Sequence, residues 1–193
     1  MKIAAIQMIF LHTPIGNIGV ALCWEMIRYD TLKRLSGNAD LILSGSCWWD
    51  LPKDVSPERE PLRQFNQDLA LKTPVVFAEL LDVPVIHANH CGEVTAFNFP
   101  DANLRQTRQL VGATQIIDGN GGVLIRRHFY EGGGFVISNI TWDSNNRKKL
   151  KAFPLEYWIP KLPDSYLNAW ETFNPKGKQY YETVALPYFK SKF

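Results

Sequence analysis

Six side chains in this chain have the types and spacing for chemistry: Cys23, Glu25, Trp48, Trp49, His87 and His90. Cys23 stands where an apolar run, Ile18 with Val20, Ala21 and Leu22, gives way to Met26, Tyr29, Leu32 and Leu35 at helical spacing. A thiol at such a strand-to-helix junction meets the positive end of the helix dipole, which favours thiolate. The backbone N–H of Trp24 lacks a helical partner there and can face a developing oxyanion. The same position equally suits a small buried hydrophobe, the ordinary fate of an unpaired cysteine. Glu25 falls in the first helical turn, where its charge suits the dipole whatever else it does. His87 and His90 close a short apolar run, as one half of a Cys–His pair or as satisfied polar groups at a strand end. Cys23, Cys47, His87, His90 and Cys91 supply zinc-ligand types, but no CxxC or HxxxH spacing joins them. No metal and no cofactor is therefore expected. Trp48 and Trp49, taken bare, read as core aromatics.

The elements that must position these groups follow from pattern. Residues 2–8 read as a first buried strand, and residues 9–12 as a brief link. Gly16-Asn17 between apolar residues signals a hairpin turn. The cysteine strand and one helix follow, with Gly37-Asn38 as the stop, and then the strand Asp40-Leu-Ile-Leu-Ser44. Two strands around one helix predict parallel pairing. Residues 45–55 read as an aromatic-rich loop. Ser56-Pro57-Glu58 opens a helix, which Thr73-Pro74 is expected to break before a last turn to Leu81. Val85 to Asn89 reads as a strand, residues 90–111 as a long loop, and Thr114 to Arg126 as a hairpin around Gly119–Gly122. Phe135 to Ile140 reads as one more strand. The fold class is α/β.

Several separate stretches carry a resemblance. Gly19-Val-Ala-Leu-Cys-Trp-Glu25, Ser44-Gly-Ser-Cys-Trp-Trp49, Val83-Pro-Val-Ile-His-Ala-Asn89 and Gly112-Ala-Thr-Gln-Ile-Ile-Asp118 resemble, in order, the motifs of the nitrilase, or carbon–nitrogen hydrolase, superfamily. The likeness covers roughly residues 13–140. It implies an αββα sandwich and hydrolysis of a nitrile or amide without a cofactor. It makes Cys23 the nucleophile and the Trp24 amide an oxyanion donor. It also makes Trp48 and Trp49 candidates for the substrate-pocket wall, beside Glu25 and His87, which are pocket candidates by their residue types and positions alone. The family's general base is a Glu after the first strand, and its cation is a Lys before the Cys. Between Gln7 and Cys23 this chain has neither, and its one earlier Lys is Lys2. The resemblance thus implies an incomplete sandwich. Beside the hydrolase reading it leaves open an inactive shortened homologue and a complementing partner.

Residues 1–140 are expected to form the partial hydrolase domain. Residues 141–193, with five Pro and many aromatics, read as an extension. Tyr166 to Phe173 reads as a short helix and the rest as an extended arm, either a dimer arm, by analogy with the family, or one packed on its own domain. A formal net charge of +2 over 193 residues gives no case for nucleic acid or an acidic membrane surface. No run approaches the ~18 apolar residues of a membrane span, and residues 1–8 lack a signal-peptide pattern. Three cysteines, an odd number, do not suggest a disulfide framework. The expected setting is the reducing cytoplasm, the expected partners a small nitrile or amide and further copies of the chain.

Overall fold

The cysteine strand, β2 (Gly16–Leu22), lies inside a mixed sheet of the computed structural model, which describes residues 10–52, 56–98, 101–142, 149–150 and 154–192. It folds back on β1 (Phe10–Thr13), antiparallel, with Thr13 opposite Gly16. The hairpin is present, but it turns at Pro14-Ile15, while Gly16-Asn17, read as the turn, opens β2, and residues 10–12, read as a link, belong to β1. β2 then pairs in parallel with β3 (Leu41–Ser46), which pairs in parallel with β5 (Val85–Asn89). An antiparallel hairpin, β8 (Thr114–Ile117) with β9 (Val123–Arg127), completes the order β1-β2-β3-β5-β8-β9. The parallel unit predicted around the first helix is present. The expected first strand, residues 2–8, lies outside the described residues.

Register shows how the helical side of the sheet is built. Gly19, Ile42, Val85 and Ile117 lie in one row across four strands, and Ala21, Ser44, His87 and Gln115 in the next. All eight are buried. Alternate residues point the other way, and Leu22 and Leu43 are 55% and 38% exposed. The buried rows meet α1 (Tyr29–Leu35) and α2 (Glu60–Leu81), whose inward residues include Leu32, Leu35, Leu69, Ala70, Phe77 and Leu81. Gly19 lets α1 approach: a Cβ there would meet Leu35 Cδ2 at 2.9 Å and Ile42 Cδ1 at 2.6 Å. Gln115 ties the sheet to α2, donating to the Leu71 carbonyl at 3.0 Å. One helical layer on one face of a sheet is half of a four-layer sandwich.

Several elements differ from expectation. The helix after Cys23 is two pieces, a 3₁₀ turn (Cys23–Ile27) and α1, because Arg28 is extended at φ −112° and ψ 131°. The predicted break at Thr73-Pro74 does not occur: α2 continues through a buried Pro74 for 22 residues. Residues 45–55 hold a short strand, β4 (Trp49–Pro52), and residues 90–111 form a ribbon rather than a loop. In that ribbon β6 (Cys91–Asn98) and β7 (Asp101–Val111) pair antiparallel, with β4 beside β7 as a second, three-stranded sheet. Residues 135–140 join no ladder. Among them Phe135 and Ile137 are exposed and Val136, Ser138 and Ile140 half-buried. This segment connects β9, at one edge of the large sheet, to Trp142, whose Nε1–H donates to the Ile15 carbonyl in the β1–β2 turn at the other edge.

The chain divides into compact units Met1–Tyr157 and Trp158–Phe193. The second is helical: the short helix expected over residues 166–173 lies within it, and helix also continues to residue 190 through residues read as an extended arm. It holds α3 (Asp164–Tyr180), a wider turn over Tyr181–Ala185, and α4 (Leu186–Lys190). Trp158 packs edge-on against Trp170 with ring centres 5.2 Å apart. Among the described residues no helix is long and apolar enough to cross a membrane.

Candidate active site

Cys23 follows the last residue of β2 with φ +50°, a left-handed conformation that a side chain with a Cβ rarely adopts. Two constraints hold the turn. Met26 and Ile27 are 2% and 1% exposed and anchor it in the core. The Glu25 carboxylate reaches back to accept the Leu22 N–H at 2.8 Å. That bond is a structural occupation of Glu25, the role its position in a first turn already allowed.

Two backbone amides face the Cys23 sulfur, those of Trp24 and Cys47. The Trp24 amide was expected from the sequence. Cys47 was weighed there only as a metal ligand. Its proximity follows from the parallel register, which sets Leu22 opposite Gly45 and brings the ends of β2 and β3 side by side. The expectation of a thiolate does not hold. Burial pushes the Cys23 thiol up, more than these two N–H groups lower it, and the charges at Cys47 and Glu25 add to the rise.

Trp24 and Trp48 stack obliquely, ring centres 6.4 Å apart. Trp48 is 4% exposed, and its indole N–H donates to Asn66 Oδ1 on α2 at 3.0 Å. Asn66 Nδ2 donates to the Trp49 carbonyl at 2.8 Å, and Gln67 Nε2 to Asp50 Oδ2 at 2.6 Å. The first turns of α2 thus grip residues 48–50 and fix the peptide that follows Cys47. Trp49 points outward, 44% exposed, with the Arg108 guanidinium carbon 5.8 Å from its ring centre.

His87 is 2% exposed, between two hydroxyls of β3. Its Nδ1 lies 2.7 Å from Ser44 Oγ and its Nε2 3.2 Å from Ser46 Oγ. Both ring nitrogens are engaged within the sheet, and burial lowers the imidazole pKa from 6.5 to about 4, so the ring is neutral at ordinary pH. His90 donates twice to the Ser46 carbonyl, from Nδ1–H at 2.9 Å and from its backbone N–H at 3.0 Å. Among the described residues no group of three or more His, Cys, Asp or Glu is arranged to hold a metal ion. Cavities of about 270, 100 and 20 Å³ occur elsewhere in the fold, and Cys23 lines none of the three.

In fold, the chain resembles solved carbon–nitrogen hydrolases. One is a carbon–nitrogen hydrolase from Helicobacter pylori, at 15% identity and a TM-score of 0.49, covering 62% of this chain and 39% of that one. A second is an amidase of the nitrilase superfamily from Nesterenkonia, at 14% identity and a TM-score of 0.36, covering 62% and 37%. A third is a glutamine-dependent NAD+ synthetase from Acinetobacter baumannii, at 17% identity and a TM-score of 0.35, covering 62% and 18%. The chain therefore spans less than two fifths of the length of these proteins. No protein-family model and no curated protein matches it.

Proposed function

We propose that this chain carries the nucleophile half of a nitrilase-type site, with Cys23 directed at the carbon of a small nitrile or amide. The observation that carries the reading is the pair of N–H groups, from Trp24 and Cys47, that converge on the Cys23 sulfur. When the sulfur adds to a carbonyl carbon, negative charge moves to the oxygen on that carbon. Amides already grouped around the sulfur can receive it without reorganising. For an amide the step forms a C–S bond, ammonia leaves with a proton from a general acid, and water later cleaves the thioester. For a nitrile the first adduct is a thioimidate.

Turnover further needs a base for the thiol proton and a cation for the tetrahedral intermediate. Glu25 is bound to the Leu22 amide, and both nitrogens of His87 are bound to serines. The segment that would bring a Glu and a Lys between the first strand and Cys23 is not in the sequence. The chain by itself is therefore read as a thiol that can be acylated or alkylated but does not turn over. Further copies, or a complementing chain, are the partners that would supply what is missing, in a reducing cytoplasm that keeps the thiol free.

The test combines two measurements on the full chain. In a Cys47→Ser background, which keeps the amide and removes the exposed competing thiol, 2-chloroacetamide should form an adduct at Cys23. Ammonia release from a panel of nitriles and amides should stay at the uncatalysed level. Steady release abolished by Cys23→Ala would overturn the inactive reading and retain the hydrolase. A Cys23 that reacts only after unfolding would remove the nucleophile itself.

A further inference from the structure

Cys23 and Cys47 end two neighbouring parallel strands whose register is fixed by Leu22 opposite Gly45. Adjacent strands lie about 4.8 Å apart. Cys23 is one residue beyond that pair and Cys47 two. The Cys47 N–H faces the Cys23 sulfur, and that nitrogen is one bond, about 1.5 Å, from the Cys47 Cα. The two cysteines therefore share one end of neighbouring strands, with the Cys47 backbone beside the Cys23 sulfur. A disulfide requires Cβ atoms about 3.5–4.5 Å apart, less than one strand spacing. Both thiols are free, Cys47 exposed and Cys23 half-buried. Cys91 begins the separate ribbon and lines a small cavity with Gly112, Arg127 and His128.

We propose that Cys23 and Cys47 are a peroxide-responsive thiol pair that closes into a reversible disulfide. The exposed Cys47 thiol gives up its proton and its sulfur attacks hydrogen peroxide, keeping one hydroxyl as a sulfenic acid while the other leaves as hydroxide and takes up that proton to become water. The Cys23 thiol then attacks the Cys47 sulfur. Its proton leaves with the hydroxyl as a second water, and the S–S bond forms. A thiol reductant returns both residues to their starting state. The bond itself does not depend on the hydrolase reading; its consequence, the blocking of a nucleophile, rests on that reading.

The experiment uses the reduced full chain. It is exposed to hydrogen peroxide under native conditions, alkylated and digested with trypsin. Cleavage after Lys2, Arg28, Arg34, Lys53, Lys72 and Arg105 puts the three cysteines on three different peptides. The expected major product is the 3–28 peptide joined to the 35–53 peptide, two hydrogens lighter than the separate pair and restored by dithiothreitol. Cys91→Ser should leave the cross-link unchanged, and Cys47→Ser should abolish it, leaving sulfenic acid on Cys23 or a free thiol. A cross-link through Cys91, a disulfide between chains, or over-oxidised Cys47 beside a free Cys23 would each overturn the proposal. Because the readout is the mass of a bond, failure of the pair and failure of the hydrolase reading give different results.

Discussion

Replacing His87 tests whether the sheet is held by a neutral buried imidazole. The ring is 2% exposed, and its pKa is lowered from 6.5 to about 4 by burial. A group whose proton affinity falls on folding is bound more tightly by protons in the unfolded chain. Its contribution is therefore fully present above pH 6.5 and is lost as pH falls toward 4. At about 1.4 kcal/mol per tenfold change, the whole window is worth about 3 kcal/mol. Relative to pH 7.5, this group alone should remove about 1 kcal/mol at pH 5.5 and about 2–3 kcal/mol at pH 4.5. Urea unfolding of the wild type and of His87→Gln at those three pH values isolates the term. The variant should start about 1–3 kcal/mol less stable at pH 7.5, because Ser44 and Ser46 lose their partner, but should decline less steeply with acid. If the variant unfolds outright, an NMR titration of the wild-type ring gives the same answer: it should remain neutral at pH 5.5. Parallel stability curves, or a ring that titrates near 6.5, would refute the argument.

Two further outcomes are expected. Brief alkylation of the wild type should label Cys47 before Cys23, since Cys47 is exposed while Cys23 is half-buried and its thiol is pushed up by burial; peptide mapping reads the order. Gly19→Ala should cost about 1–3 kcal/mol in urea unfolding, because the new methyl meets Ile42 at 2.6 Å, Leu35 at 2.9 Å and Ala39 at 3.0 Å; an unchanged midpoint would mean that α1 can retreat.

The parallel unit and both hairpins were legible because their signals are local: a run of apolar residues, turn-forming residues, a change of period. The first hairpin nonetheless turns at Pro14-Ile15 and not at the Gly16-Asn17 pair that signalled it. The ribbon was not. Cys91–Asn98 and Asp101–Val111 have no apolar alternation, and pairs such as Thr95 with Thr107, hydroxyls 2.8 Å apart, sit in solvent on a ladder that backbone bonds maintain. Pro74 misled for the opposite reason. Its lost N–H argues for a break, but the residue is buried with Phe77, Ala78 and Leu81, and that packing outweighs one missing bond. At the site, the position of Cys23 could be read, while its charge state could not. Whether one helix or a broken one follows the cysteine depends on two dihedral angles at Arg28, a residue with no breaker in its type. The short helix at residues 166–173 was read, while Pro175 and Pro187 hid its continuation to residue 190.

The bond from Trp142 to the Ile15 carbonyl joins residues 127 apart in the chain. At a synthesis rate of about 5–20 residues per second, the β1–β2 turn exists for about 6–25 s before its partner emerges. For that interval Ile18, Val20, Leu22 and Leu43, on the side that α1 and α2 do not cover, have only what precedes residue 142 to shield them. The order of emergence thus sets how long the β1–β2 turn stands without its Trp142 donor.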